Sequence, residues 1–172
     1  MNASIVGTYL KNLTFDTGLN PGTGGLDGKY ECAGRYGATC SNTVAGVPSP
    51  KWRHKARLGF TMPNGLGISG QWRYFSAVKN DTLSGDPDLN FLLGSHSNPG
   101  SAKLNAQSYF DLTLSARVAD KFNFRLGANN IFDSDPPVAG GESLGGFSNG
   151  NTYPQVYDAL GRFLFAGVTI DF

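Results

Sequence analysis

The side chains of this 172-residue chain whose types could do chemistry are few: two cysteines, two histidines and a set of evenly spaced charges. Cys32 and Cys40 lie in the segment GKYECAGRYGATCSN, with seven residues between them. That spacing fits no common zinc pattern, and the only imidazoles, His54 and His96, stand far along the chain. A local disulfide is expected in preference to two free thiols, and it implies an oxidising compartment. His96, in LLGSHSNPGSA, reads as a solvated loop residue. The acidic runs NDTLSGDPD (80–88) and DSD (133–135) do not complete a calcium loop and read as turn formers. The Gly-rich stretch 140–151 does not lead from a strand into a helix, so no phosphate cradle is expected there. No nucleophile, base and orienting residue come together convincingly, so neither catalysis nor a cofactor or metal is expected.

The remaining charges share a parity. Arg53, Lys55, Arg57, Arg73, Arg117 and Arg125, with Asp111 as the clearest acidic counterpart, all occupy odd positions of stretches that alternate with period two. In KWRHKARLGFTM the even positions Trp52, His54, Ala56, Leu58, Phe60 and Met62 are mostly apolar. Side chains two apart diverge on a helix and share a face on a strand, so these are strands. After Pro63-Asn64-Gly65 the alternation resumes through Leu66, Ile68, Gly70, Trp72 and Tyr74. A three-residue turn would pair Met62 with Leu66 and Phe60 with Ile68. A second hairpin places Phe110, Leu112, Leu114, Ala116 and Val118 on one face, turns at 119–121, and returns with Phe122, Phe124, Leu126 and Ala128. Val118 then pairs with Phe122, so the apolar faces match across both hairpins. The last strand, GRFLFAGVTIDF, aligns Leu164, Ala166, Val168, Ile170 and Phe172. A first strand is expected over NASIVGTYLKNLTF, with Ile5, Tyr9, Leu13 and Phe15 as one face, blurred by Val6 and Leu10.

Composition narrows the class. Hydrophobic residues make up 40% of the chain and charged residues 16%, with 24 Gly, 12 Phe and 7 Tyr and a net charge of +1. Few charges and many aromatics exclude a disordered chain and a basic nucleic-acid binder. No stretch approaches the roughly 20 apolar residues of a spanning helix. Residues 1–30 carry no basic start followed by an apolar run, so the chain is expected either not to be exported or to lack its true N-terminus.

Three features favour a membrane barrel over a soluble sandwich. The six strands are long, around 10 residues. Tight turns near 63–65 and 119–121 alternate with long loops over 16–50, 77–107 and 133–158, so every long loop falls at one end. Aromatics gather at the strand ends: Trp52, Trp72 and Tyr74 by the long loops, and Phe60, Phe122 and Phe172 by the turns, as interfacial girdles require. His54, beside Trp52, reads as a girdle residue. The fold expected is all-β, an antiparallel up-and-down transmembrane β-barrel segment of about six strands that does not close by itself.

The stretch GANNIFDSDPPV (127–138) resembles the N-N-L-F-D-x-D-P-P segment near the end of TonB-dependent outer-membrane receptors. NTYPQVYDALGRFLFAGVTIDF (151–172) resembles their closing strand, and YECAGRYGATC followed by PKWRHKARLGF is similar to a cysteine-bearing external loop and its re-entrant strand. The resemblance implies a barrel of about 22 strands around an N-terminal plug, taking up scarce ligands such as iron-siderophores, cobalamin or carbohydrate. The whole of residues 1–172 would then be the C-terminal part of such a barrel, without plug or TonB box, in the outer membrane of a Gram-negative bacterium. Its partners would be outer-membrane lipid, the rest of the barrel and plug, and the TonB complex only through the missing part. The odd-position charges would face the lumen, as ordinary wetted wall charges, as contacts to the plug, or to steer an anionic ligand. Leu164, Ala166, Val168, Ile170 and Phe172 would form the signal read by the barrel assembly machinery. Tyr30, Arg35, Tyr36, Phe91, Phe147 and Tyr153 are loop residues able to meet a ligand. Competing readings are a small oligomerising outer-membrane adhesin or structural barrel, and a secreted β-sandwich carbohydrate-binding module.

Overall fold

Period-two alternation becomes hydrogen-bonded strands in a computed structural model, which describes residues 1–16, 18, 28–37, 39–40, 47–90, 102–119, 121–140 and 150–171. In chain order the strands are β1 (Asn2–Tyr9), β2 (Thr14–Asp16), β3 (Lys29–Glu31), β4 (Arg35–Tyr36), β5 (Trp52–Thr61), β6 (Leu66–Phe75), β7 (Val78–Asn80), β8 (Lys103–Leu104), β9 (Gln107–Val118), β10 (Phe122–Asn129) and β11 (Phe163–Ile170). One 3-10 turn (Asp81–Leu83) and a single helical turn, α1 (Pro87–Asn90), follow β7. No helix among the described residues is long and apolar enough to cross a membrane, which says nothing about strands.

Six strands form one sheet in the order β1-β5-β6-β9-β10-β11, antiparallel at each junction. The hairpin registers are those the apolar pattern requires: Phe60 lies opposite Ile68 and Val118 opposite Phe122. The Met62 amide donates to the Leu66 carbonyl at 2.7 Å, closing the 63–65 turn. A one-residue slip would turn every apolar side chain to the other face, so burial and turn length specify the register together.

Rows of partners run straight across the sheet. Phe60, Ile68, Leu114, Leu126 and Ala166 form one apolar row, and Leu58, Gly70, Leu112, Ala128 and Leu164 form another. Large side chains of these rows stand well exposed: Leu114 is 45% exposed, Leu126 57% and Leu164 70%. The sheet does not close, and β1 and β11 are its two edges. Since each of the five junctions is antiparallel, the edges run in opposite directions.

Buried residues collect instead at the long-loop end. Tyr36, Val78, Leu104, Tyr109, Ala139, Tyr153 and Tyr157 form one cluster, with Phe75 and Val156 packed against it. Tyr30, Cys32, Cys40 and Leu89 form a second, with Leu13 and Phe15 against it. The expectation of a single first strand ending at Phe15 is therefore corrected. The strand in the large sheet ends at Tyr9, and Phe15 pairs with Tyr30 in a separate two-stranded ribbon. Leu13 and Phe15 find more apolar contact on the cysteine loop than on an open sheet face, while Val6 falls on the opposite, polar face directly across from Lys55, with Arg53 and Arg57 on either side of that row.

Candidate functional site

The polar face carries the seven charges whose parity the sequence analysis marked. Arg53, Lys55 and Arg57 descend β5; Arg73 lies opposite Lys55 on β6; Asp111 and Arg117 sit on β9; Arg125 sits on β10. Two like charges directly across a pair repel, so Arg73 needs counterions of its own. It has two. Its Nε and Nη2 donate to the Asp111 carboxylate, both at 2.8 Å, and its Nη1 and Nη2 donate to Asp158 at 2.8 and 2.6 Å. Such paired, planar bonds are the strongest a guanidinium makes. Gln71 Nε2 and the Asn130 amide also donate to Asp111, each at 2.9 Å, and the Arg73 guanidinium lies 5.2 Å from the centre of the Tyr109 ring.

Asp158 belongs to the segment before β11, which lies over the polar face at its loop end. Tyr157, next to it, packs edge-on against Phe75, and burial pushes its hydroxyl well above the usual phenol range. Phe75 and Tyr109 occupy polar-face positions of their strands, and both are covered by this segment. An aromatic on the polar parity of a strand signals that something packs over it, and Phe75 and Tyr109 carry that signal in the sequence.

The segments around 130 and 160 are tied to each other. Asn130, at a left-handed φ of 50°, holds Ser134 by two hydrogen bonds of 2.9 Å. Asp133 accepts from the Arg162 amide at 2.7 Å. Gly161 has φ 70°, and a Cβ there would come within 2.7 Å of the Asp133 carboxylate, so glycine is required on both counts. The two stretches 127–138 and 151–172 thus meet in space.

Cys32 and Cys40 are joined in a disulfide with Cα atoms 5.5 Å apart. Asp81 Oδ2 accepts from the Thr39 and Cys40 amides at 2.9 and 2.7 Å, so β7 and the cysteine loop are clasped together. Burial pushes the Asp81 carboxyl above its usual range, opposed by those two amides. Burial raises the Glu31 carboxyl too, but the Leu13 and Ala33 amides outweigh it and leave Glu31 below its usual range. The acidic run 80–88 is used in turns: Asn80 caps the 3-10 turn, Asp86 accepts from the Asp88 amide, and Asp88 from Gly28. Among the described residues no cluster of His, Cys, Asp or Glu could hold a metal ion.

Of the loop residues offered to a ligand, Tyr30, Tyr36 and Tyr153 are corrected: they are buried in the two loop clusters and present no ring to solvent. Their bulk is worth more as loop core than as exposed surface, because burying so large an apolar area is favourable. Arg35 is partly exposed. His96, Phe91, Phe147, Asp120, Phe172 and residues 141–149 lie outside the described residues.

The apolar face shows an aromatic band at the loop end. Trp52 donates from Nε1 to His54 Nδ1 at 2.9 Å; the His54 ring stands edge-on to Trp72 at 4.4 Å and stacks near Tyr74 at 5.3 Å. Trp72 in turn stacks parallel to Phe110 at 6.1 Å. At the turn end Phe122 and Phe124 stack, and Leu164, Ala166, Val168 and Ile170 continue the apolar face along β11. The chain matches no protein-family model, no curated protein and no solved structure.

Proposed function

We propose that this chain is a wall segment of an outer-membrane transport barrel of the TonB-dependent receptor kind. Its polar face lines a lumen and its long loops form the outer cap. One observation carries the reading: large apolar side chains on every strand of the six-stranded sheet's apolar face stand about 37–70% exposed, with an aromatic band at the loop end and Phe60, Phe122 and Phe124 toward the turns. A soluble sandwich covers that face with a second sheet. Lipid covers it in a barrel, and there the alternation is reversed in sense, apolar out and polar in.

Unpaired edges support a larger assembly. In lipid each unsatisfied backbone group costs several kcal/mol, so β1 and β11 need partner strands. Strands from a longer receptor polypeptide fill that role in this reading, and a plug would occupy the lumen. Because the two edges run antiparallel, copies of the chain could also close on one another, which is the second reading. The motifs at 127–138 and 151–172, joined through Asp133 and Arg162, favour the receptor. In it β11, ending toward Phe172, would be the strand handed to the barrel assembly machinery.

Reconstitution with lipids brominated at known depths tests the membrane reading. Trp52 and Trp72 fluorescence should be quenched most by bromines near the headgroups. Unquenched emission from chain left in the aqueous fraction would favour the sandwich. An in-frame plug domain and TonB box immediately upstream in the coding DNA is the further result expected of the receptor reading, and their absence would favour self-closure.

A further inference from the structure

Below the Arg73 ion pairs, toward the short turns, the polar face of the sheet holds a hollow of about 550 Å³. Arg57, Arg117 and Arg125 line it, with the hydroxyl-bearing Ser69, Thr113 and Ser115 between them. In its floor Gly67 of β6 lies opposite Ser115 of β9. A Cβ on Gly67 would lie 2.5 Å from the Ser115 hydroxyl, so the glycine is what lets that hydroxyl sit there. Arg57 reaches into the hollow and donates from Nη2 to Ser69 Oγ at 3.3 Å, an exposed, weak bond that a better acceptor would displace. Among the described residues no carboxylate lines the hollow. On the same face Asp111 is engaged by Arg73, and Asp171 accepts from Asn123 Nδ2 at 3.1 Å.

The guanidinium groups of Arg57 on β5 and Arg125 on β10, with hydroxyl donors between them, present hydrogen-bond donors to a common space, while Arg117 lines the same space with a partner of its own. That arrangement suits oxygen acceptors bearing negative charge, and guanidinium forks match carboxylate and phosphate geometry in particular. The volume falls in the range of small-molecule sites. We infer that this hollow is a binding site for a small polyanion carrying at least two phosphate or carboxylate groups. Its position inside a lumen rests on the barrel reading above; the binding itself does not.

Pyrophosphate is the probe, titrated calorimetrically into the full chain refolded in detergent micelles, with orthophosphate and potassium chloride at matched ionic strength as controls. Pyrophosphate is expected to bind at least ten-fold more tightly than orthophosphate. Arg57→Gln and Arg125→Gln should each weaken it five-fold or more, whereas Lys55→Gln, higher on the same face, should change it less than two-fold. Arg125→Lys keeps the charge but loses the fork, and should also weaken binding, which covers the case in which the glutamine variants fail to refold. Equal loss in all variants, or displacement by chloride at the same ionic strength, would show general attraction to a basic wall and overturn the site. So would tight binding of a polyglutamate peptide without binding of pyrophosphate, which would make the hollow a contact for an acidic polypeptide. Binding of pyrophosphate by chain whose tryptophans are not quenched by brominated lipid would keep the site and reject the barrel; quenching without binding would do the reverse.

Discussion

Arg73 and Asp158 stand 85 positions apart in the chain and face each other through two hydrogen bonds of 2.8 and 2.6 Å. Arg73 is simultaneously held by Asp111, so one guanidinium links a central strand, its neighbour and the segment that enters the last strand. The polar face is therefore a structural platform at its loop end and an open basic surface below it.

Removing the two ends of this link should have unequal effects. Asp158→Ala leaves Arg73 still paired with Asp111 and is expected to cost about 1–2 kcal/mol, whereas Arg73→Ala strands two part-buried carboxylates and should cost about 3–5 kcal/mol. Urea midpoints of the refolded chain, read with proteolysis of residues 150–162, give both numbers. Equal losses would mean that the two pairs do not act through Arg73.

The disulfide closes a loop whose ends are 8 positions apart. Chain-entropy reasoning assigns such a loop about 2.5 kcal/mol. Cys32→Ser with Cys40→Ser should accordingly loosen the cysteine loop while leaving the six-stranded sheet in place, because no residue of the cluster around the disulfide belongs to that sheet. Trypsin cutting after Arg35, fast in the double variant and slow in the parent, is the expected readout; reducing agent should reproduce it.

Leu114 and Thr113 are neighbours on β9 that point to opposite faces. Leu114→Arg puts a charge in the middle of the apolar face and should cost about 2–4 kcal/mol in a bilayer. Thr113→Arg adds to a face already rich in arginine and should cost much less. Refolding yield into liposomes separates the two, and comparable yields would argue against lipid on the Leu114 side.

Acid should act on the loop cap through two carboxyls in opposite directions. Glu31 sits below its ordinary value of 4.5, so its stabilisation is complete above that value and is lost as pH falls through the lower folded value. Asp81 sits above its ordinary value of 3.8, so the folded cap is unpenalised below 3.8 and loses stability as pH rises through the higher folded value. Glu31→Gln should remove the loss on the acid side, and Asp81→Asn, whose oxygen still accepts from Thr39 and Cys40, the cost on the neutral side. Amide exchange of Cys32 and Cys40 over about pH 3 to 7 measures both slopes.

The six long strands, apart from the end of the first, the pairing within the two hairpins and the two faces were legible in the residues alone. Period two admits one backbone conformation, and a three-residue turn between matched apolar runs leaves one register, so Phe60 opposite Ile68 followed from counting. The parity of Arg53, Lys55, Arg57, Arg73, Arg117 and Arg125 placed them on one face for the same reason.

What surrounds those charges was not legible. Tyr36, Val78, Leu104, Tyr109, Tyr153 and Tyr157 come from segments with no common period, and their assembly into a core depends on contacts between loops far apart in sequence. The same holds for Asp158 on Arg73 and for Asp81 on the cysteine loop. Local alternation reports which way a side chain points, because that is set by its immediate backbone. Which distant segment arrives to meet it is decided by long-range packing, and so the loop cap, the counterions of Arg73 and the arginine-lined hollow beneath them emerge only when the chain is folded.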